Sequence, residues 1–212
     1  MPRQPASSQI FVVSAPSGVG KTTLINKISP NWPNLCFSVS ATTRPPRAGE
    51  VHGKDYLFFS REEFIRGVRE DRFLEWAHVH GEYYGTDSRQ IEGWLTEGKD
   101  VLLDIDVQGA RQIRCMLPWA RTIFILPPSM DVLQERLRKR ATETIEVLTK
   151  RLAAAQREIQ EAIWYDFIIV NDDLQEAAAD FNAILRACHC DRAAQTSKLK
   201  PFLLPSLQPV ID

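Results

Sequence analysis

What the chain lacks narrows its class before any motif is read. No apolar run approaches the roughly 18 residues that a membrane span needs, so no bilayer-crossing segment is expected. Met1 to Gln9 carries Arg3 but no apolar secretion-signal core, which argues against export. Cysteine is scarce: Cys36, Cys115, Cys188 and Cys190 follow no disulfide-framework spacing and fit a reducing cytoplasm. Cys188-His189-Cys190 comes without a second ligand pair, so a zinc site is not expected there. The net charge is only −1, leaving no global field to draw in nucleic acid or an anionic membrane. An anionic ligand must instead be held by local groups of Lys and Arg. Internal repeats and low-complexity blocks are missing, and the oligomeric state, homo-oligomer included, is left open.

What remains is an ordinary globular composition, 44% hydrophobic and 25% charged over 212 residues, enough for one well-cored domain. Short β-rich runs alternate with longer helical patterns, the mark of a parallel α/β sheet. The runs Ile10–Ser14, Cys36–Ser40, Val101–Ile105, Thr122–Leu126 and Phe167–Val170 read as buried strands. Helices are expected over Lys21–Ile28, Arg61–Arg69, Ser88–Thr96, Gln108–Cys115, Met130–Arg140, Ile145–Trp164 and Leu174–Cys188. Ser60-Arg-Glu-Glu63 spells a capping box at the second of these. From Ser40 to Asp100 the core alternation stops, and Arg, Tyr, Trp and Gly stand in loop-like contexts. That stretch reads as an insertion carrying a second binding site. After Asp191 periodicity is weak and prolines recur at 201, 205 and 209, so a loosely docked extension is expected.

The most specific stretch is Ile10 to Leu24, an apolar run, then Ala15-Pro-Ser-Gly-Val-Gly-Lys-Thr-Thr23, then a helical pattern. It has the layout of a phosphate-binding loop, where strand, Gly-rich turn and helix N-terminus meet around an anion. Gly18 and Gly20 let backbone N–H groups approach a phosphate, Lys21 would reach the β- and γ-phosphates, and the Thr22 hydroxyl would bind Mg²⁺. The strict pattern asks for glycine at the first position, where this chain has Ala15.

Three further groups carry chemistry. Val101-Leu-Leu-Asp104-Ile-Asp106 is an apolar strand running into carboxylates. Support of Mg²⁺, directly or through water, suits Asp104, whereas capping the next helix suits Asp106. Arg44 and Arg47 flank a stiff Pro pair ahead of Tyr56 and Tyr84, an arrangement suited to a phosphate other than the triphosphate. Arg136 and Arg140 share a helical face, with Lys150 and Arg151 following. Like charges at that spacing repel unless an anion lies between them. A basic lid closing over transferring phosphate would use them, while a plain amphipathic helix pair is the alternative.

In order along the chain, Ser14-Ala-Pro-Ser-Gly-Val-Gly-Lys-Thr22, Ser38-Val-Ser-Ala-Thr-Thr-Arg-Pro-Pro-Arg-Ala-Gly-Glu50, Phe73-Leu-Glu-Trp-Ala77, Tyr83-Tyr-Gly-Thr86, Leu103-Asp-Ile-Asp-Val-Gln-Gly109 and Val170-Asn-Asp-Asp-Leu174 resemble the guanylate kinase family. The resemblance implies an α/β P-loop NTPase fold, a five-stranded parallel sheet with helices on both faces. It also implies a GMP-binding insertion over residues 41–99 and a helical lid over 129–164, within a domain spanning 1–190 and followed by a tail 191–212. The reaction implied is ATP + GMP ⇌ ADP + GDP with Mg²⁺, with dGMP expected as a further acceptor; the charge and cysteine usage add the expectation of a cytoplasmic setting with no nucleic-acid or membrane partner. By position, Ala15 to Thr23 and Asn171 would hold ATP. Ser40, Glu75, Thr86 and Asp106 would read guanine, and Arg44, Arg47, Tyr56 and Tyr84 would hold the GMP phosphate. Lys21, Arg44, Arg136, Arg140 and Arg151 would supply catalytic charge. The resemblance thus moves Asp106 from helix cap to acceptor site. A kinase for another phosphorylated acceptor and a non-catalytic binding module are the rival readings.

Overall fold

A computed structural model describes residues 8–79, 81–140 and 145–202. In chain order the elements are β1 (Ile10–Ser14), α1 (Lys21–Ile28), β2 (Leu35–Phe37), β3 (Ala41–Thr42), β4 (Leu57–Phe58), α2 (Arg61–Arg69), β5 (Phe73–Val79), β6 (Glu82–Asp87), α3 (Ser88–Thr96) and β7 (Asp100–Asp104). There follow α4 (Val107–Met116), β8 (Arg121–Leu126), α5 (Met130–Arg140), α6 (Ile145–Gln160), β9 (Phe167–Val170), α7 (Leu174–His189) and α8 (Arg192–Leu199).

The five strands expected for the core form one sheet in the order β2-β7-β1-β8-β9, every pair parallel. Alternation along β1 divides its side chains between two apolar layers. Phe11 and Val13 join Leu24, Ile28, Phe181 and Leu185 from α1 and α7. Ile10 and Val12 join Ile91, Leu95, Ala110 and Ile113 from α3 and α4 on the opposite face. Continuous apolar strands covered on both faces are what a parallel sheet requires. The consequence for function lies at the carboxyl end of β1. From β1 the chain builds β2 and later β7 on one side and then crosses to β8 and β9 on the other, and Val13 is in register with Asp104. A crevice opens outside such a switch in strand order.

The insertion contains more regular structure than its loop-like sequence suggests. β3 to β6 form a second sheet, ordered β4-β3-β6-β5, with β6 antiparallel to both β3 and β5. Helix α2 seals it through Phe64, whose ring stacks on Phe73 at 4.4 Å and on Tyr83 at 5.4 Å. The capping box at its start is formed: Ser60 Oγ accepts from Glu63 N–H and Glu63 Oε2 from Ser60 N–H. Helix α3, within the span assigned to the insertion, packs Ile91 and Leu95 onto the parallel sheet instead.

Other boundaries shift modestly. The second core strand stops at Phe37, and Ser38 to Ser40 turn toward the insertion. The long lid helix ends at Gln160 in a 3₁₀ turn, Glu161–Trp164. Residues 141–144 of the lid, and Leu203 onward in the tail, lie outside the described residues. After Asp191, where a loosely docked extension is expected, the described residues form α8 and a 3₁₀ turn, Lys200–Phe202.

Candidate active site

The loop between β1 and α1 closes as its sequence requires. Gly18 and Gly20 have φ of 91° and 101°, left-handed values that glycine adopts without a Cβ penalty. Space is short as well: a Cβ on Gly20 would stand 2.8 Å from Asn171 Nδ2. At Ala15 the backbone is not left-handed. An alanine therefore meets no conformational strain at the position where the strict motif asks for glycine.

The loop opens into a cleft of about 440 Å³ between the two sheets. From the core it is lined by Ala15, Pro16, Ser17, Gly18, Gly20, Lys21, Thr22, Asp104 and Asp106, and from the insertion by Ser40, Arg47, Tyr56, Glu75 and Tyr84. Residues from opposite ends of the sequence reading thus face one space. Lys21 Nζ forms an ion pair with Asp104 Oδ1. The Thr22 hydroxyl and the Asp104 carboxylate are hard oxygen donors on this same wall. They fit a Mg²⁺ ion that takes its remaining ligands from phosphate and water. Among the described residues no cluster of three or more His, Cys, Asp or Glu could bind a metal alone.

At the far wall Glu75 is only 4% exposed. Its Oε1 accepts a 2.6 Å hydrogen bond from Thr86 Oγ1, which is itself buried and behind the cleft lining. Burial, against the lowering effect of the Thr86 bond and with a smaller contribution from the Asp106 charge, holds the Glu75 carboxyl up at about 7. A register shift between Phe73 and Glu75 re-aims this strand. Asp106 caps α4 and also faces the cleft. Its Oδ1 accepts from Gly109 N–H at 2.8 Å as the cap of α4, and the residue also lines the cleft.

The arginine loop is held by a residue the sequence reading passed over. Glu50 Oε1 pairs with Arg44 Nη2 at 2.8 Å, and its Oε2 accepts from Arg47 N–H at 2.7 Å. Arg44 lies over the Tyr56 ring at 5.2 Å, and Tyr56 meets Tyr84 edge-on at 6.2 Å. Arg47 reaches the cleft lining, whereas Arg44 stands behind it. Burial, and next the Asp104 charge, raise the Tyr56 hydroxyl.

A separate cavity of about 320 Å³ lies across the loop, lined by Val19, Thr23, Arg136, Asn171 and, unforeseen, Lys139. Arg136 Nη1 donates to Val19 O at 3.0 Å and Asn171 O at 3.1 Å, while Asn171 Nδ2 donates to Val19 O at 2.8 Å. Arg136 therefore stands on the opposite side of the loop from Glu75. Arg151 is half-buried on α6 outside the cleft lining, and the Arg140 side chain lies outside the described residues. The lid does place one unforeseen group in the cleft: Glu158, a half-buried carboxylate raised by burial and then by Asp106, with Lys21 opposing. On the sequence it is one charge on a polar helix face.

A phosphate loop at the switch point of a parallel sheet, facing an inserted sheet with its own arginines and a buried carboxylate, defines a P-loop nucleotide kinase. Comparison with known proteins narrows this. A protein from Neisseria gonorrhoeae named guanylate kinase is 49% identical over 194 residues, 92% of this chain and 95% of its own. One of the same name from Carboxydothermus hydrogenoformans is 46% identical, covering 91% of this chain and 90% of its own. The crystal structure of guanylate kinase from Anaplasma phagocytophilum superposes with a TM-score of 0.72 at 37% identity, covering 89% of this chain and 90% of that one. The guanylate kinase family profile matches residues 7–188, and the chain belongs to that family.

Proposed function

We propose that the protein transfers the γ-phosphoryl group of ATP to GMP, and to dGMP, giving ADP and GDP or dGDP, in the cytoplasm. Glu75 carries the reading: it is buried with Thr86 and opens onto the same cleft as the phosphate loop. An ionised carboxylate accepts from the ring N–H and the exocyclic amine of guanine. Adenine presents a lone pair at that ring position and would leave the carboxylate unpaired, a mismatch that a polar pocket rejects strongly. Ser40, Thr86 and Asp106 complete the base pocket. Arg44, Arg47, Tyr56 and Tyr84 hold the acceptor phosphate, with Glu50 fixing Arg44 beforehand.

A phosphate oxygen of GMP attacks the γ-phosphorus in line as the bond to ADP breaks, its electron pair leaving with ADP. A phosphate monoester is largely ionised at neutral pH, so no dedicated base is needed. The chain's task is positioning and positive charge. Lys21 exchanges Asp104 for the β- and γ-phosphates. Loop N–H groups, Arg136 and the lid arginines Arg140 and Arg151 offset the remaining charge. Mg²⁺, held on the Thr22 and Asp104 side, supplies charge neutralisation between the phosphates when bound. Asn171 and Thr23 frame the adenine side of ATP.

The test is a coupled assay of ADP release with GMP, dGMP, AMP and ribose phosphates as acceptors. GMP and dGMP are expected to react and the others to fail. Turnover of ribose phosphates without GMP turnover would overturn the reading, as would no ADP release at all.

A further inference from the structure

Gly109 is the third residue of α4 and lies against Glu75, on the wall of the cleft where Asp106 caps the same helix. A Cβ built on it would stand 2.9 Å from Glu75 Cδ and nearer still to Oε2. Asp106 Oδ1, at 3.4 Å, would be at ordinary contact distance. Nothing in the backbone asks for glycine here, because Gly109 is not among the glycines with positive φ. In a helix, alanine is intrinsically favoured over glycine. The atoms a side chain would press on most closely are therefore those of the Glu75 carboxylate.

That carboxylate has little freedom to yield. Oε1 is tied to Thr86, and the whole side chain is buried. A methyl group at residue 109 would drive Oε2 away by rotating the Glu75 side chain, which must then loosen the Thr86 bond or turn the carboxylate off the base edge. The moving atoms are the end of one side chain, so the fold has a way to accommodate the change while the recognition geometry does not.

We infer that Gly109 is a positioning residue for base recognition, its missing side chain fixing the direction in which Glu75 presents its oxygens to the acceptor. This rests on the reading of Glu75 as the guanine acceptor. The inference predicts a steric specificity device: any side chain at 109 acts on the acceptor through Glu75 and leaves ATP untouched.

The experiment is a double-mutant cycle in the full chain, with Gly109→Ala made alone and in Glu75→Gln, and with kcat and KM measured for GMP and for ATP. Gly109→Ala alone is expected to lower kcat/KM for GMP by roughly tenfold or more, mostly through KM, since small misplacements of a positioning group have effects of that size or larger. In the Glu75→Gln background the added loss should be about twofold or less, because the group that Gly109 positions no longer reads the base as a carboxylate. KM for ATP should be unchanged, and the urea midpoint should not fall. Glu75→Asp, which withdraws the carboxylate by one methylene, should erase most of the Gly109→Ala effect. Equal losses in both backgrounds, or no loss in the parent, would overturn the inference while leaving Glu75 in its role. If Glu75→Gln itself left GMP kinetics unchanged, the acceptor reading would fail and this inference with it.

Discussion

Glu75→Gln should make the protein more stable at alkaline pH while damaging its recognition of GMP. In the folded chain the Glu75 carboxyl titrates at about 7, against an ordinary value of 4.5, because burial opposes its charge. Below pH 4.5 the group is protonated in both folded and unfolded chains, and it contributes no pH dependence. Between 4.5 and 7 the unfolded chain releases the proton while the folded one keeps it, so stability falls as pH rises. Above 7 both are ionised and the penalty stays constant. At about 1.4 kcal/mol per pH unit of displacement, the total is on the order of 3 kcal/mol. Glutamine has no such titration, and its carbonyl can still accept from Thr86. Urea unfolding of both proteins from pH 4.5 to 8 should show the parent losing about 3 kcal/mol relative to Glu75→Gln. In turnover the sign reverses. An amide turns an N–H toward the guanine ring N–H, and losing a hydrogen bond to a charged acceptor lowers kcat/KM for GMP by roughly 10- to 100-fold. Parallel stability curves across this pH range would refute the electrostatic argument, and an undiminished kcat/KM would refute the assignment.

The same titration predicts that kcat/KM for GMP falls steadily below about pH 7 as Glu75 takes up its proton, and that Glu75→Gln flattens this limb. Gly20→Ala should abolish measurable ATP binding by calorimetry, since it meets both a φ of 101° and the Asn171 side chain. Arg136→Ala frees the carbonyls of Val19 and Asn171 that frame the loop. It should lower kcat by about 10²-fold or more, with KM for GMP changed far less, and steady-state kinetics showing the reverse would remove Arg136 from the transfer step. Glu50→Gln should raise KM for GMP several-fold by releasing Arg44 and the Arg47 backbone, most visibly at low ionic strength.

Sequence patterning reached the parallel core because its strands are apolar on both faces, and it reached the loop because Gly18, Gly20, Lys21 and Thr22 must stand at fixed spacing between strand and helix. The second sheet escaped it for a physical reason. Along β5 the inward position is Glu75, 4% exposed, and its neighbour Trp76 is 39% exposed, the inverse of a core-facing alternation. β3 and β4 have two residues each, too short to show any period. Glu50 and Glu158 were hidden because a charge on a loop or on a polar helix face looks solvated until the fold brings it against Arg44 or into the cleft. Asp106 illustrates the opposite case. Its position ahead of α4 is legible as a cap from local spacing, whereas its side toward the cleft follows from the sequence only through the family resemblance, because local pattern does not show the insertion opposite.

The central claim is that one cleft presents Lys21 to the donor phosphates and Glu75 to the acceptor base. A crystal structure with GMP and a non-hydrolysable ATP analogue tests it most directly. The guanine ring N–H and amine should lie within hydrogen-bond distance of Glu75, with Lys21 turned from Asp104 to the β- and γ-phosphates. A GMP base bound away from Glu75, or Lys21 still paired with Asp104 beneath bound nucleotide, would contradict the account.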